Sequence, residues 1–380
     1  MLETVEQRNA LLAQIEKARN SSVIAYMLHD NAMVADDAIP QLYDKLQAIG
    51  KRDRIDLLLY ARSGVIEVCW RVLNLLREYC DFLGVIVGTR VQGAASLLAL
   101  GADEIVMGPL SELGGMEAVR RHPLLPHDDG GQPIPLSLGE VRALLRFLSE
   151  HSAPVDDDGR RAKDEGGTEV RDEEPDQSEA KGRKPKTKLD LDLDAHALPD
   201  LSDSKSKIEN PKLDSVVLST LLQHIHPLVI AHLQQSDSLS REVTEKALRL
   251  HMHTEDAERI RRLVELFNGG FRSPLYTASR AELEAAGLPI TVPDKDLWAS
   301  IWGVVQLYHS TLYTDRPEAT APGAFYRYVC LLEGVGRLTG LRQTFTQPEG
   351  QERILQIRWD TAIRGPGPGP SMGPGGRSNN

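Results

Sequence analysis

Strand and helix signals alternate without a break from residue 22 to residue 107, and every strand in that stretch is a continuous apolar run. Ser22-Val-Ile-Ala-Tyr-Met-Leu28, Arg54–Tyr60, Phe82–Thr89 and Asp103–Met107 read as strands. Runs with no polar alternation need cover on both faces, which points to a parallel sheet in an α/β fold. Asp36–Ile49 reads as a helix ended by Gly50, and Gly93–Leu100 as a short helix. Gly64–Cys80 is the clearest helix. Glu67, Arg71, Asn74 and Glu78 form one narrow polar face on an otherwise largely apolar cylinder, so protein should cover most of it. Glu67 and Arg71 are also spaced for an i,i+4 ion pair. Right-handed crossovers bring the C-terminal ends of parallel strands to one edge. The turns Ala61–Val65 and Arg90–Ser96 then meet at the edge where open α/β sheets bind ligands.

Outside this stretch, residues 2–18 and Leu136–His151 read as helices. Residues 152–210 are rich in Asp, Glu, Lys, Gly, Ser and Pro and nearly free of aromatics. Such a segment buries too little apolar surface to offset chain ordering, so disorder is expected. Its Leu-Asp repeat at 189–194 reads as solvated linker rather than as a calcium-binding or docking strip. Order is expected again from Leu213, with helices over Val216–His226, Ser240–Met252, Thr254–Asn268, Arg280–Ala286, Lys295–Thr311 and Phe325–Leu338. Trp298 and Trp302, one turn apart, read as core. Gln343–Thr346 and Arg353–Trp359 are spaced as a hairpin, and the Gly/Pro tail after Arg364 as flexible chain. The expected domains are an α/β core (1–151), a charged insert (152–210), a mainly helical C-terminal region (211–363) and a tail (364–380).

The net charge of −11 comes without a basic stripe or zinc-knuckle pattern, which argues against nucleic acid. Cys69, Cys80 and Cys330 have no metal-ligand spacing, and an odd count fits buried thiols in a reducing compartment. The first 20 residues are charged throughout, and no apolar run reaches the roughly 18–20 residues that span a bilayer. A cytoplasmic protein with no membrane span and no cofactor is expected. The pairs His224/His226 and His251/His253 are each two residues apart, which on a helix splays the rings, so no metal site is expected. His122 and His127 lie in a Pro/Gly-rich loop with reach toward the edge turns.

A small-residue turn that starts a helix can hold a nucleophile and present backbone N–H groups to an oxyanion. In Arg90-Val-Gln-Gly-Ala-Ala-Ser96 the position suited to a nucleophile is Gly93, which has an N–H to offer but no side chain. Ser96, one turn on, reads either as a displaced nucleophile or, as the stronger reading, as a packing or capping residue. Ser63, in Tyr60-Ala-Arg-Ser-Gly-Val65, is a weaker nucleophile candidate; the loop reads by default as a plain tight turn, with an anion or carbonyl nest as the functional alternative. Glu117 or Glu112 could orient a base or bind an amine, against the plainer reading of a solvated carboxylate.

The runs Arg19–Tyr26, Ile55–Gly64, Val72–Asp81 and Leu98–Gly108 resemble the serine dehydrogenase proteinase family of the Clp-protease/crotonase superfamily, related to signal peptide peptidases. The resemblance spans about 19–117 and continues more weakly through 213–310. It implies a spiral of β-β-α units with a helical C-terminal region, a serine peptidase ancestry and a homo-oligomer. The family's Lys-Ala-His-Ser-Ala-Gly-Thr corresponds to Arg90–Ser96, so its His is Gln92 and its nucleophilic Ser is Gly93. Its Arg-Gly-Gly-Asp corresponds to Arg62–Val65, and its Leu-Gly-Pro-Ile-Asp to Leu113–Glu117. The resemblance therefore implies a pseudoprotease: a scaffold or peptide-binding homologue whose remnant cleft is Arg62, Ser63, Gly64, Gln92, Gly93 and Ala94. The rivals are a serine hydrolase using Ser96 or Ser63, and a crotonase-type non-covalent acyl enzyme.

Overall fold

A computed structural model describes residues 2–116, 119–120, 122–128, 131–151, 225–271, 273, 276–314, 317–334, 336–347 and 352–363. The expectations for 152–210, for most of the helix at Val216–His226 and for the tail lie outside the described residues.

The alternation read from the sequence is present in order: α1 (Leu2–Arg19), β1 (Ser22–Leu28), α2 (Ala38–Ile49), β2 (Arg52–Ala61), α3 (Ile66–Arg77), β3 (Cys80–Val91), a 3-10 turn (Gly93–Ala95), α4 (Ser96–Leu100) and β4 (Glu104–Met107). Strands β1, β2, β3 and β4 are neighbours in that order and all parallel. Because successive side chains of a strand face opposite ways, each apolar run fills two cores at once. On β2, Leu57 and Leu59 join the core under α2, α3 and α4, whereas Leu58 and Tyr60 join the core on the other face.

The chain continues through β5 (Glu112–Gly114), β6 (Val119–Arg120), β7 (Leu136–Ser137), α5 (Leu138–His151), α6 (Pro227–Leu248), α7 (Ala257–Glu265), β8 (Thr277–Ala278), α8 (Arg280–Ala285), β9 (Ile290–Thr291) and α9 (Lys295–Leu312). Helices α6 and α7 add Val243, Leu248, Ile260 and Leu263 to the first core. Helix α9 packs with α1 over the second core, where Leu12 and Ile15 meet Ile301, Val304 and Tyr308. Trp298 and Trp302 stack 6.3 Å apart against this core, as expected.

One expected helix is overturned. Phe325–Leu338 falls within β11 (Ala324–Gly334) and the start of β12 (Arg337–Thr346), turned at Gly336 with φ +67°. Strand β11 lies antiparallel to β1, pairing Leu28 with Cys330, and also to β10 (Glu318–Ala321) and β12. The run Phe-Tyr-Arg-Tyr-Val-Cys-Leu-Leu is apolar enough for a helix. Its aromatic and β-branched side chains suit a pleated surface, and pairing with β1 decides the outcome. Strand β13 (Arg353–Ile363) pairs with β12, so the expected hairpin is present and longer than its sequence signal. The region expected to be mainly helical thus supplies six strands, β8 to β13, to the sheet that contains β1. Among the described residues that sheet has eleven strands, running β13-β12-β11-β1-β2-β3-β4-β9 with β5, β8 and β10 alongside.

The ion pair expected between Glu67 and Arg71 gives way to a tertiary partner: Arg71 bonds Asp36 instead. A second ionic group pins the N-terminal ends of β2, β3 and β4. Arg19 reaches Asp56 at 2.7 Å and Glu104 at 2.7 Å, Arg54 contacts both acids, and the Ser21 hydroxyl donates to Asp56. Gly84 makes room for it, since a Cβ there would lie 1.9 Å from Asp56 Oδ1. No helix among the described residues is long and apolar enough to cross a membrane.

Candidate functional site

The two turns singled out in the sequence meet at the C-terminal edge of the parallel strands. Strand β3 departs from β2 there: Leu59 pairs with Val87, but Ala61 pairs with Val91. The extra length bends β3 so that its end, at Arg90 and Val91, pairs with β5 instead of β4. Gly93 follows with φ +63°, a left-handed conformation that glycine adopts without steric penalty. A Cβ on Gly93 would sit 3.3 Å from the Arg62 carbonyl oxygen and 3.4 Å from Ser63 Cα. On the facing turn, a Cβ on Gly64 would sit 2.7 Å from Cys69 Sγ and 3.3 Å from the Ala95 nitrogen. Glycine at both positions is what lets the turns close on each other.

The backbone N–H groups divide into spent and unspent. The Gly93 N–H, expected to face a ligand, donates to the Gly115 carbonyl at 3.0 Å. The Gln92 N–H donates to Ala61 at 2.9 Å, and the Val65 N–H to Val34 at 3.0 Å. Among the described residues neither the Gly64 nor the Ala94 N–H has an acceptor, and both residues are partly exposed. They are two amides of this cleft with capacity to bind a carbonyl oxygen.

The serine candidates separate clearly. Ser96 is fully buried, and its hydroxyl donates to the Gly114 carbonyl at 2.8 Å. That is the packing role, and a nucleophile needs access that Ser96 lacks. Ser63 is partly exposed, and its carbonyl accepts from Val34. Gln92 is almost buried and packs against Gly114. Glu117 lies outside the described residues, while Glu112 is tied to Arg90 at 2.8 Å and accepts from Thr277. His122 turns away to pair with His232, ring centroids 5.1 Å apart, in a cavity of about 320 Å³ that Glu67 also lines. His226 caps α6, and His251 Nε2 lies 2.9 Å from the Leu100 carbonyl.

A polar cluster beside this cleft was not singled out by any sequence motif. Asp30, just after β1, accepts from the hydroxyls of Tyr60 and Tyr313 at 2.7 Å each and from Arg62 Nη1 at 2.9 Å. Tyr313 is sandwiched between His29, with centroids 4.5 Å apart, and His309, at 5.0 Å, while Tyr60 meets His309 edge-on at 4.9 Å. The members come from β1, β2 and the end of α9, some 280 residues apart in sequence, so no spacing rule could have grouped them. A hint was available: Tyr60 and Arg62 share one side of an extended strand end.

Burial alone would raise the Asp30 pKa, but the Tyr313, Tyr60 and Arg62 hydrogen bonds outweigh it and hold Asp30 below the usual carboxylate range. Burial lowers the His309 pKa, with Asp30 opposing in part, and burial together with Arg327 lowers that of His29. Both imidazoles are therefore neutral at pH 7. Two buried atoms of the cluster, Arg62 Nε and His309 Nε2, have no hydrogen-bond partner among the described residues. Each such atom costs about 1–3 kcal/mol if it stays unpaired.

No family model and no curated protein matches the chain. Two similar solved structures are proteases. One is a Lys-to-Ala mutant of the 1510-N membrane-bound stomatin-specific protease in complex with a substrate peptide. It is 14% identical, with 34% of this chain and 58% of that chain covered, at a TM-score of 0.24. The other is the ClpP protease catalytic domain from Plasmodium falciparum, 14% identical over 37% of this chain and 68% of that one, at a TM-score of 0.22. The chain thus spans little more than half the length of the first.

Proposed function

We propose that this chain is a non-catalytic, peptide-binding relative of the Clp-protease/crotonase serine peptidases, resembling the serine dehydrogenase proteinase family, and that it assembles with copies of itself. The observation that carries the reading is Gly93. It occupies the helix-start turn where a nucleophile would stand, faces the Arg62–Gly64 turn, and has neither a hydroxyl nor a free N–H. What remains includes the amides at Gly64 and Ala94, suited to holding a peptide carbonyl without attacking it. The succession of β4 and β5 along one side of β3 supports the β-β-α spiral of that superfamily. The free, buried thiols of Cys69, Cys80 and Cys330 suit a reducing, cytoplasmic setting.

The test is intact-mass analysis after incubation with a fluorophosphonate, followed by peptide mapping. No adduct on folded protein is expected. A stoichiometric adduct on Ser63 would replace this reading with that of a serine hydrolase using a relocated nucleophile.

A further inference from the structure

We infer that the peptides held in this cleft are selected by a basic side chain, lysine or arginine, which enters the cavity of about 320 Å³ between α3 and α6. The inference rests on the peptide-binding reading above and specifies its ligand. The cavity has a cause in the fold. Helix α6 serves two cores. Val229 and Leu233, near its start, pack with Leu125, Leu138 and Val141, whereas Val243 and Leu248, near its end, join the core under the parallel sheet. The cavity lies at the seam: Val229 and Leu233 line it from the first core, Leu239 from beside the second, and Glu67 from α3. Glu67 is in the first turn of α3, three residues beyond Gly64, so at most about 11 Å separates their Cα atoms. A peptide whose carbonyl sits on the Gly64 and Ala94 amides has a neighbouring side chain within reach of this opening.

The lining selects that side chain. Val229, Leu233 and Leu239 give an aliphatic stem apolar walls, and lysine and arginine lay their stems along such surface while the charged head stays with polar groups. Glu67 offers that head a carboxylate. It is exposed and has neither a hydrogen bond nor an ion pair among the described residues, because Arg71, one helical turn on, is engaged by Asp36. The imidazole of His232 meets only the ring of His122, and a neutral imidazole carries one acceptor nitrogen. Among the described residues no lysine or arginine lines the cavity. An acidic side chain would meet Glu67 with like charge, and a plain aliphatic one would leave its carboxylate unmatched. The net charge of −11 favours basic peptides at longer range as well.

The experiment uses the full chain and fluorescence anisotropy with two pools of N-terminally fluorescein-labelled, C-terminally amidated hexapeptides. One position is lysine in the first pool and norleucine in the second, and the rest are randomised over uncharged residues. The lysine pool should bind about fivefold more tightly, the upper range for a solvent-accessible ion pair. Glu67→Gln removes the charge, and Gln235→Trp places an indole at the cavity wall. Each should bring the ratio close to one, and since both residues are exposed the thermal midpoint should stay near that of the wild type. Equal binding of the two pools by the wild-type chain overturns the inference and leaves the peptide-binding reading standing. A preference retained by either variant overturns the assignment to this cavity. Binding of neither pool overturns both readings.

Discussion

The two halves of the sheet obey different rules. In the parallel half, every residue of β2 from Ile55 to Ala61 is buried, and helices lie on both faces. In the antiparallel half, all of β10 is exposed, and on β13 Ile354, Leu355 and Ile357 are each more than half exposed. Both halves are continuous through the β1–β11 pairing, so hydrogen bonding alone does not distinguish them. Cover does. A strand between two helix layers is fixed by apolar packing that tolerates little change, whereas a strand at the sheet margin is fixed mainly by its ladder. The candidate site sits where the first regime ends, at strand ends where the end of α9 packs on the Asp30 cluster while Gly64 and Ala94 stay partly exposed.

Substitutions should expose that contrast, beginning in the parallel half. Gly84→Ala drives a methyl into the Asp56 carboxylate and separates it from Arg19 and Ser21, so a loss of about 3–5 kcal/mol is expected in urea unfolding. A near-neutral result would mean that the ionic group at the strand starts is not integral to the parallel half. Leu58→Ala, at the centre of the second core, should cost about 2–5 kcal/mol by the same measurement.

The same ionic group predicts acid lability. Burial would raise the Glu104 pKa, but hydrogen bonds from Thr291, Arg19 and Arg54 outweigh it and lower Glu104 to about 2 from an ordinary 4.5. The folded pKa lies below the unfolded one, so this stabilisation is fully present above about pH 4.5 and disappears as pH falls toward 2. Urea midpoints measured between pH 7 and pH 2.5 should fall in that window, and Glu104→Gln should flatten the decline.

At the boundary, Gly93→Ser should fold with a loss of about 1–2 kcal/mol, because serine tolerates the left-handed conformation poorly and its Cβ would press on the Arg62–Ser63 turn. Thermal melts would measure this, and an unchanged midpoint would mean that the turn relaxes. The smallest effect belongs to the margin. Ile357→Ser, at a side chain 53% exposed, should move stability by no more than about 0.5 kcal/mol. A large loss there would show that β13 is covered in the assembled protein.

The parallel half is legible from the residue order alone. Uninterrupted apolar strands such as Ile55–Tyr60, separated by helices whose polar residues form one face, leave little choice but a parallel sheet covered on both sides. Residue order also locates the turns Ala61–Val65 and Arg90–Ser96, since chain order and crossover handedness bring those strand ends together. Tertiary structure alone decided three things. Pairing with β1 made Phe325–Gly334 a strand, because a short apolar run is compatible with either helix or sheet until it has a neighbour. Packing gave Ser96 its partner at Gly114 and spent the Gly93 N–H on Gly115, outcomes set by which carbonyls lie opposite. The Asp30 cluster joins β1, β2 and the end of α9, and contacts across hundreds of residues have no local signature for a sequence to carry.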